Sequence, residues 1–286
     1  MTKKYVWTFS TPSWSMINKL LDNLTYLAYS TELVKLINNT ELIIHTDSLG
    51  YKLLKNMNIR AEIVHQKFFL RKEEMFKWAM PKLKTIELIN EPFYHIDHDV
   101  FLFNEQPIKN VPITAQSLER YKEREFYFDA ITNIRNFYPN SLPEWCKKYE
   151  TYDNIGGFNC GYLHFQSMPE KKQWTDLALS CYKHHTKEMN CKWAHVYHNV
   201  ISEQFTLFAL NQRHDQKLVD TLFNVYNWNN LKLENYVHVP SVIKFLPRLE
   251  EIRKRTLTRI MNNLKELNLK LHDQIKELAR QSSNPF

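Results

Sequence analysis

Through the first hundred residues short apolar runs alternate with helical stretches, and few architectures accept that rhythm. Residues 4–9 are a β-rich segment, followed by a helical stretch over about 14–36 with a break expected near Ser30. Leu42, Ile43 and Ile44 form a second apolar run within 41–46, closed by Asp47-Ser48-Leu49-Gly50. A helix over about 51–57 and a strand over 61–65 follow. Strands separated by helices in this way predict an α/β layer with a largely parallel sheet.

Further along, residues 73–89 carry Phe76, Trp78, Met80, Leu83, Ile86 and Ile89 on a mostly helical period, which Pro81 should kink or restart. Residues 93–96 and 100–103 are strand candidates on either side of Asp97-His98-Asp99. The stretch 104–155 is less regular and reads as an insertion with an antiparallel edge (113–116 and 126–131). A strand is expected at 158–165, helices at 170–184 and 200–210, and a late strand at 232–238.

Past Pro247 the character changes. Residues 249–279 hold no Gly or Pro, and Leu257, Ile260, Leu264, Leu267, Leu271 and Leu278 recur on a helical period. Between 248 and 280, nine Lys/Arg face five Asp/Glu. This predicts an amphipathic basic helix, bent or divided near Asn262-Asn263. It has three readings: packing on its own domain, a homodimer through a short coiled coil, or peripheral contact with an anionic membrane. The domain division expected is 1–247 for the α/β body and 248–286 for this element.

Composition narrows the function classes. At 286 residues, 43% hydrophobic and 24% charged, the chain can bury a sizeable core and is not disordered. Its formal charge of +7 suits an anionic partner without choosing among them. Only four glycines occur, at 50, 156, 157 and 161, so a glycine-rich phosphate loop is ruled out. No run of about 18 apolar residues exists to cross a membrane. Cys146, Cys160, Cys181 and Cys191 lie far apart, as reduced thiols of a cytoplasmic protein would.

Asp97 and Asp99 stand out because carboxylates between apolar strands are costly unless a cation accompanies them. Residues two apart in an extended chain point to one side, so both could face one Mn²⁺ or Mg²⁺. The competing reading is a strand-to-strand turn whose Asp side chains cap backbone N–H groups. Gly156-Gly157 permits unusual dihedrals or a close backbone approach, and Asn159 can both donate and accept. Glu203 opens an apolar helix, where it could act as general base or merely complement the helix dipole. Cys181, His184, His185, Cys191, His195 and His198 lack zinc-site spacing and read as a solvated, His-rich surface.

The run Phe93-Tyr94-His95-Ile96-Asp97-His98-Asp99-Val100-Phe101-Leu102 resembles the strand–DxD–strand segment of GT-A glycosyltransferases, distantly the glycogenin-like and galactosyltransferase-like retaining enzymes. Tyr5-Val6-Trp7-Thr8-Phe9 resembles their first strand at the nucleobase, and His45-Thr46-Asp47 the second strand edge near the nucleoside. Trp78 and Lys82 look like the positions that precede the motif. Gly157-Phe158-Asn159-Cys160-Gly161 resembles a conserved family segment, with Cys160 in place of Ala. His238 to Lys244 keeps the spacing between a metal-binding His and a phosphate-binding Lys, with Ser241 where Gly is usual.

The resemblance implies a GT-A, Rossmann-like fold with a central mixed sheet and a C-terminal helical appendage. It implies Mn²⁺ or Mg²⁺ on Asp97, Asp99 and His238. Thr8, Asp47, Trp78, Lys82, Gly157, Ser241 and Lys244 would bind the nucleotide-sugar donor, UDP-linked by preference. Asn159 and Glu203 would serve the reaction, with retention slightly favoured and residues 104–155 on the acceptor side. The acceptor would be a glycan or lipid-linked sugar, in surface polysaccharide synthesis at the inner membrane face. The rival readings are a nucleic-acid-binding module, against which the dispersed basic residues argue, and a metal-dependent phosphoester hydrolase, which would need further ligands.

Overall fold

A computed structural model describes residues 2–11, 17–67, 76–120, 123–187, 189–191, 193–223, 236–238 and 250–283. The fold is mixed α/β, with mostly parallel strands among the described residues. The chain divides into two compact units, each assembled from distant segments.

The first unit takes residues 1–67, 96–106 and 228–286. Strands β1 (Lys3–Phe9), β2 (Thr40–Thr46) and β3 (Glu62–His65) pair in parallel, with Val6 opposite Ile43 and Ile44 opposite Ile63. Their crossovers are α1 (Ile17–Lys35) and α2 (Ser48–Lys55). Parallel strands are covered on both faces, which is why Tyr5, Val6 and Trp7 are buried consecutively rather than alternately. The expected break of α1 at Ser30 does not occur: Ser30 is buried and its hydroxyl donates to the Val100 carbonyl at 2.7 Å.

The basic terminal segment is two helices, α8 (Glu250–Leu267) and α9 (Leu269–Ser283), packed on α1 through Ile260, Leu264, Leu271 and Ile275. Of the three readings, packing on its own unit is the one observed. The division falls at Asn268, not at Asn262-Asn263. Asn268 Oδ1 accepts from Leu271 N–H at 3.1 Å, an N-cap for α9, while its Nδ2 donates to Glu32 at 2.9 Å. Asn262 and Asn263 stay helical because their side chains have no such backbone to cap, and Asn263 donates instead to the Tyr29 hydroxyl.

The second unit takes residues 68–95 and 107–227. Helix α3 (Met80–Leu88) begins with Pro81 in its first turn, where a missing N–H costs nothing, so Pro81 starts the helix. Strands β4 (Phe93–Ile96), β6 (Ile113–Glu119), β7 (Gly157–Phe165) and β8 (Val219–Phe223) follow the order β4-β7-β6-β8, with β6 antiparallel to β7 and parallel to β8. Residues 126–131, expected as a strand, lie in helix α4 (Arg124–Phe137), whose buried Tyr127, Ala130, Ile131 and Ile134 keep helical spacing. Helix α5 (Met168–His184) packs Trp174 on Phe165, which stacks on Phe93. Helix α6 (Ala194–Val200) passes through a π-helical turn, Ile201–Phe205, into α7 (Thr206–Arg213).

Candidate functional site

In the first unit, β5 (Val100–Leu102) is apolar and wholly buried, and Asp97-His98-Asp99 leads into it. This segment is a tight turn: the Val100 N–H donates to the Asp97 carbonyl at 3.0 Å. The extended-chain argument for two carboxylates on one side therefore does not apply, because turn dihedrals rather than strand alternation direct them. Asp97 is half-buried and Asp99 only 5% exposed. One face of α1 grips this turn. Asn23 Oδ1 lies 2.6 Å from His98 Nε2, and an amide oxygen only accepts, so the ring nitrogen donates. Tyr26 and Tyr29 set their rings 6.2 and 5.1 Å from that of Phe101. Burial, then the Asp22 and Asp99 carboxylates, push the Tyr26 hydroxyl above its ordinary range.

A strand from far along the chain closes the other side. β9 (Tyr236–His238) runs antiparallel to β5, with Val100 opposite His238 and Leu102 opposite Tyr236. The backbone of His238 thus stands across from the residue that follows Asp99. Carboxylates and a histidine are, by residue type, donors that suit a divalent cation such as Mn²⁺. Among the described residues no group of three or more His, Cys, Asp or Glu could hold a metal; the His238 side chain, Ser241 and Lys244 lie outside them.

Thr8 is opposite His45 in the β1·β2 register. Asp47 is buried as the N-cap of α2, with Oδ1 accepting from Gly50 N–H at 2.8 Å and from the Thr11 hydroxyl at 2.7 Å. Its nearer task is to fasten the ends of β1 and β2 together.

The remaining expected residues belong to the second unit. Lys82 and Glu203 form a buried ion pair at 2.7 Å, with side chains 8% and 4% exposed, and Lys82 also donates to the Cys160 carbonyl at 2.5 Å. Glu203 and Gln204 stand in the π-helical turn, an interruption that is frequent at functional sites. Asn159 Nδ2 donates to Glu119 Oε1 at 2.8 Å while its Oδ1 accepts from Gly161 N–H at 3.0 Å. The Tyr127 hydroxyl donates to Glu119 Oε2 at 2.8 Å and lies 2.5 Å from Gln204 Oε1. Burial and the Glu119 carboxylate raise the Tyr127 pKa, which keeps that hydroxyl protonated and donating. Trp78 is half-buried and donates to the His195 carbonyl at 3.1 Å.

Gly157 is explained by close approach, not by an unusual dihedral: a Cβ there would meet the Tyr127 hydroxyl at 2.3 Å, and no glycine has positive φ. Glu119 and Tyr127 are not marked by the sequence, whereas Gln204 stands beside Glu203 at the start of the apolar run. The only hint was the glycine pair, which marks where a large ring must press against backbone.

The His-rich stretch is partly a core feature, contrary to the solvated surface expected. His185 and His198 are fully buried, with their Nδ1 atoms 3.0 Å apart, and Cys181 Sγ is 3.6 Å from His185 Nε2. Burial pushes His185 down to about 2 and His198 to about 4, so both rings are neutral near pH 7. Burial likewise lifts the Cys181 thiol to about 12.

The sequence matches the model of a family of unknown function (DUF6734) over residues 18–279. No curated protein matches it. Among solved structures, mouse xyloside xylosyltransferase 1 in its apo form is similar at 12% identity, with 84% of this chain and 98% of that chain covered and a TM-score of 0.42. The galactosyltransferase LgtC, in complex with donor and acceptor sugar analogs, is similar at 13% identity, with 90% and 94% covered and a TM-score of 0.45. An inositol-1-phosphate CTP transferase from T. maritima gives 12% identity, 93% and 97% coverage and a TM-score of 0.40.

Proposed function

The chain belongs to that family of unknown function (DUF6734), and we propose that it is a metal-dependent glycosyltransferase. It would move a sugar from a nucleotide-diphosphate donor, UDP-linked by preference, to a glycan or lipid-linked acceptor. The observation that carries this reading is the β5·β9 ladder. The sequence resemblance names Asp97, Asp99 and His238 as one ligand set, and the ladder sets His238 opposite Val100, the residue after Asp99, although the two are far apart in the chain.

Asp97, Asp99 and His238 would hold Mn²⁺ or Mg²⁺. When bound, such an ion supplies Lewis-acid stabilisation of a diphosphate leaving group. Lys244 would add a positive charge at the phosphates. Thr8 and Asp47, at the ends of β1 and β2, would border the nucleoside. Asn159, already oriented by Glu119 and Gly161, offers a fixed amide for sugar hydroxyls. Glu203, held against Lys82 at 2.7 Å, would accept a hydrogen bond from an acceptor hydroxyl. Retention of configuration is the outcome favoured, since a leaving diphosphate can itself take the acceptor proton. Surface polysaccharide synthesis at the inner membrane face is the setting proposed.

The test is calorimetric titration of UDP into the full chain with and without Mn²⁺. Manganese-dependent binding of UDP supports the reading and opens a screen of UDP-sugars. No heat from UDP, GDP, CMP or dTDP overturns it and returns the two aspartates to a capped turn.

A further inference from the structure

We infer that Asn23 is a positioning residue for the Asp97-His98-Asp99 turn, and through it for the cation site proposed above, on which this inference rests. Asn23 is 2% exposed on α1. Asn is a poor helix former, and burying its amide costs free energy unless a specific partner compensates. That partner is His98, the central residue of the turn, at 2.6 Å. A tight turn can swing about its two ends. Fixing the ring of its middle residue stops that motion and so fixes the directions of the two flanking carboxylates.

Other α1 contacts act in the same sense. Ser30, seven residues on and on the same helix face, donates to the Val100 carbonyl where the turn ends and accepts from Trp7 Nε1 at 3.1 Å. The turn is thus anchored at its centre and at its exit by one rigid helix. That helix is itself tied beside Asn23, where Arg253 of α8 forms an ion pair with Asp22. The terminal helices therefore reach the proposed cation site in two steps, Arg253 to Asp22 and Asn23 to His98.

The experiment measures Mn²⁺ affinity of the full chain, by the electron-paramagnetic resonance signal of free Mn²⁺, for wild type, D99A, N23L, N23D and H98L. Partners of this kind typically alter metal affinity at least about tenfold. The expected result is loss of binding in D99A and weakening of about tenfold in N23L. N23D, which keeps an acceptor at the same reach, should stay near wild type. H98L should match N23L, and the N23L/H98L double variant should be no weaker than either. Should N23L fail to fold, H98L tests the same bond from the other side. Wild-type affinity in N23L or H98L, with binding lost in D99A, overturns the inference and leaves the cation site standing. N23D as weak as N23L overturns it too. No binding by the wild type overturns both.

Discussion

The two units tie down their candidate site residues by different kinds of contact. In the second, Glu203 is matched by Lys82 and Glu119 by Asn159 and Tyr127, so each carboxylate is held by named side chains. In the first, the bonds from α1 go to the residues around Asp97 and Asp99, namely the His98 ring and the Val100 carbonyl. The bonds of the second unit join side chain to side chain; those from α1 fix the ring and backbone of the turn on which Asp97 and Asp99 stand. The former should matter most for folding and the latter for binding.

That contrast can be broken. The largest expected effect is in D99A, which should abolish Mn²⁺-dependent UDP binding while changing urea stability by no more than about 1 kcal/mol, since activity sites are rarely stability optima. A D99A protein that binds UDP and Mn²⁺ normally removes the contrast. Next comes K82M, which strands the buried Glu203 charge and should cost about 3–5 kcal/mol in urea unfolding. K82M/E203M should recover most of it, and a K82M loss under 1 kcal/mol would show that the pair is not the anchor described.

Smaller effects sharpen the picture of the second unit. G157A drives a methyl group into the Tyr127 ring and should cost about 1–3 kcal/mol, a penalty that disappears when Tyr127 is already Ala. The smallest effect near neutrality concerns His198, whose folded pKa of about 4 lies below the ordinary 6.5. The unfolded chain takes up a proton that the folded ring refuses. Stability is therefore full above about pH 6.5 and falls as the pH drops toward about 4. His185, lowered further to about 2, acts in the same direction. Urea titrations at pH 7, 6 and 5 should show this slope, and H198Q should flatten it; an unchanged slope in H198Q would assign it elsewhere.

The α/β rhythm and the strands flanking residues 97–99 are legible in the sequence because they rest on local apolar runs. Residues 126–131 misled because Phe126, Tyr127, Phe128 and Ile131 are strand formers by type; what decided the matter was burial at i, i+3, i+4 and i+7, visible only once Ile134 is counted. The helix break was sought at the wrong asparagine because capping depends on the backbone within reach, which Asn268 has and Asn262 does not. The Lys82–Glu203 pair and the buried His185–His198 pair join segments that carry no mutual signal in one sequence. The turn at 97–100 also differs from its first reading, since a strand pattern on both flanks suggested extended backbone between them.

The β5·β9 ladder also sets a schedule. Chains emerge from the ribosome N-terminus first, at about 5–20 residues per second, so β9 follows β5 by on the order of ten seconds. During that interval the nascent Asp97–Asp99 turn has its helix α1 but not its partner strand, and β5 presents an open apolar edge of the kind that pairs with other chains. A message truncated just after Phe223 would leave the protein in that state permanently. For this chain, the waiting period between the two strands is when protection by a chaperone would matter most.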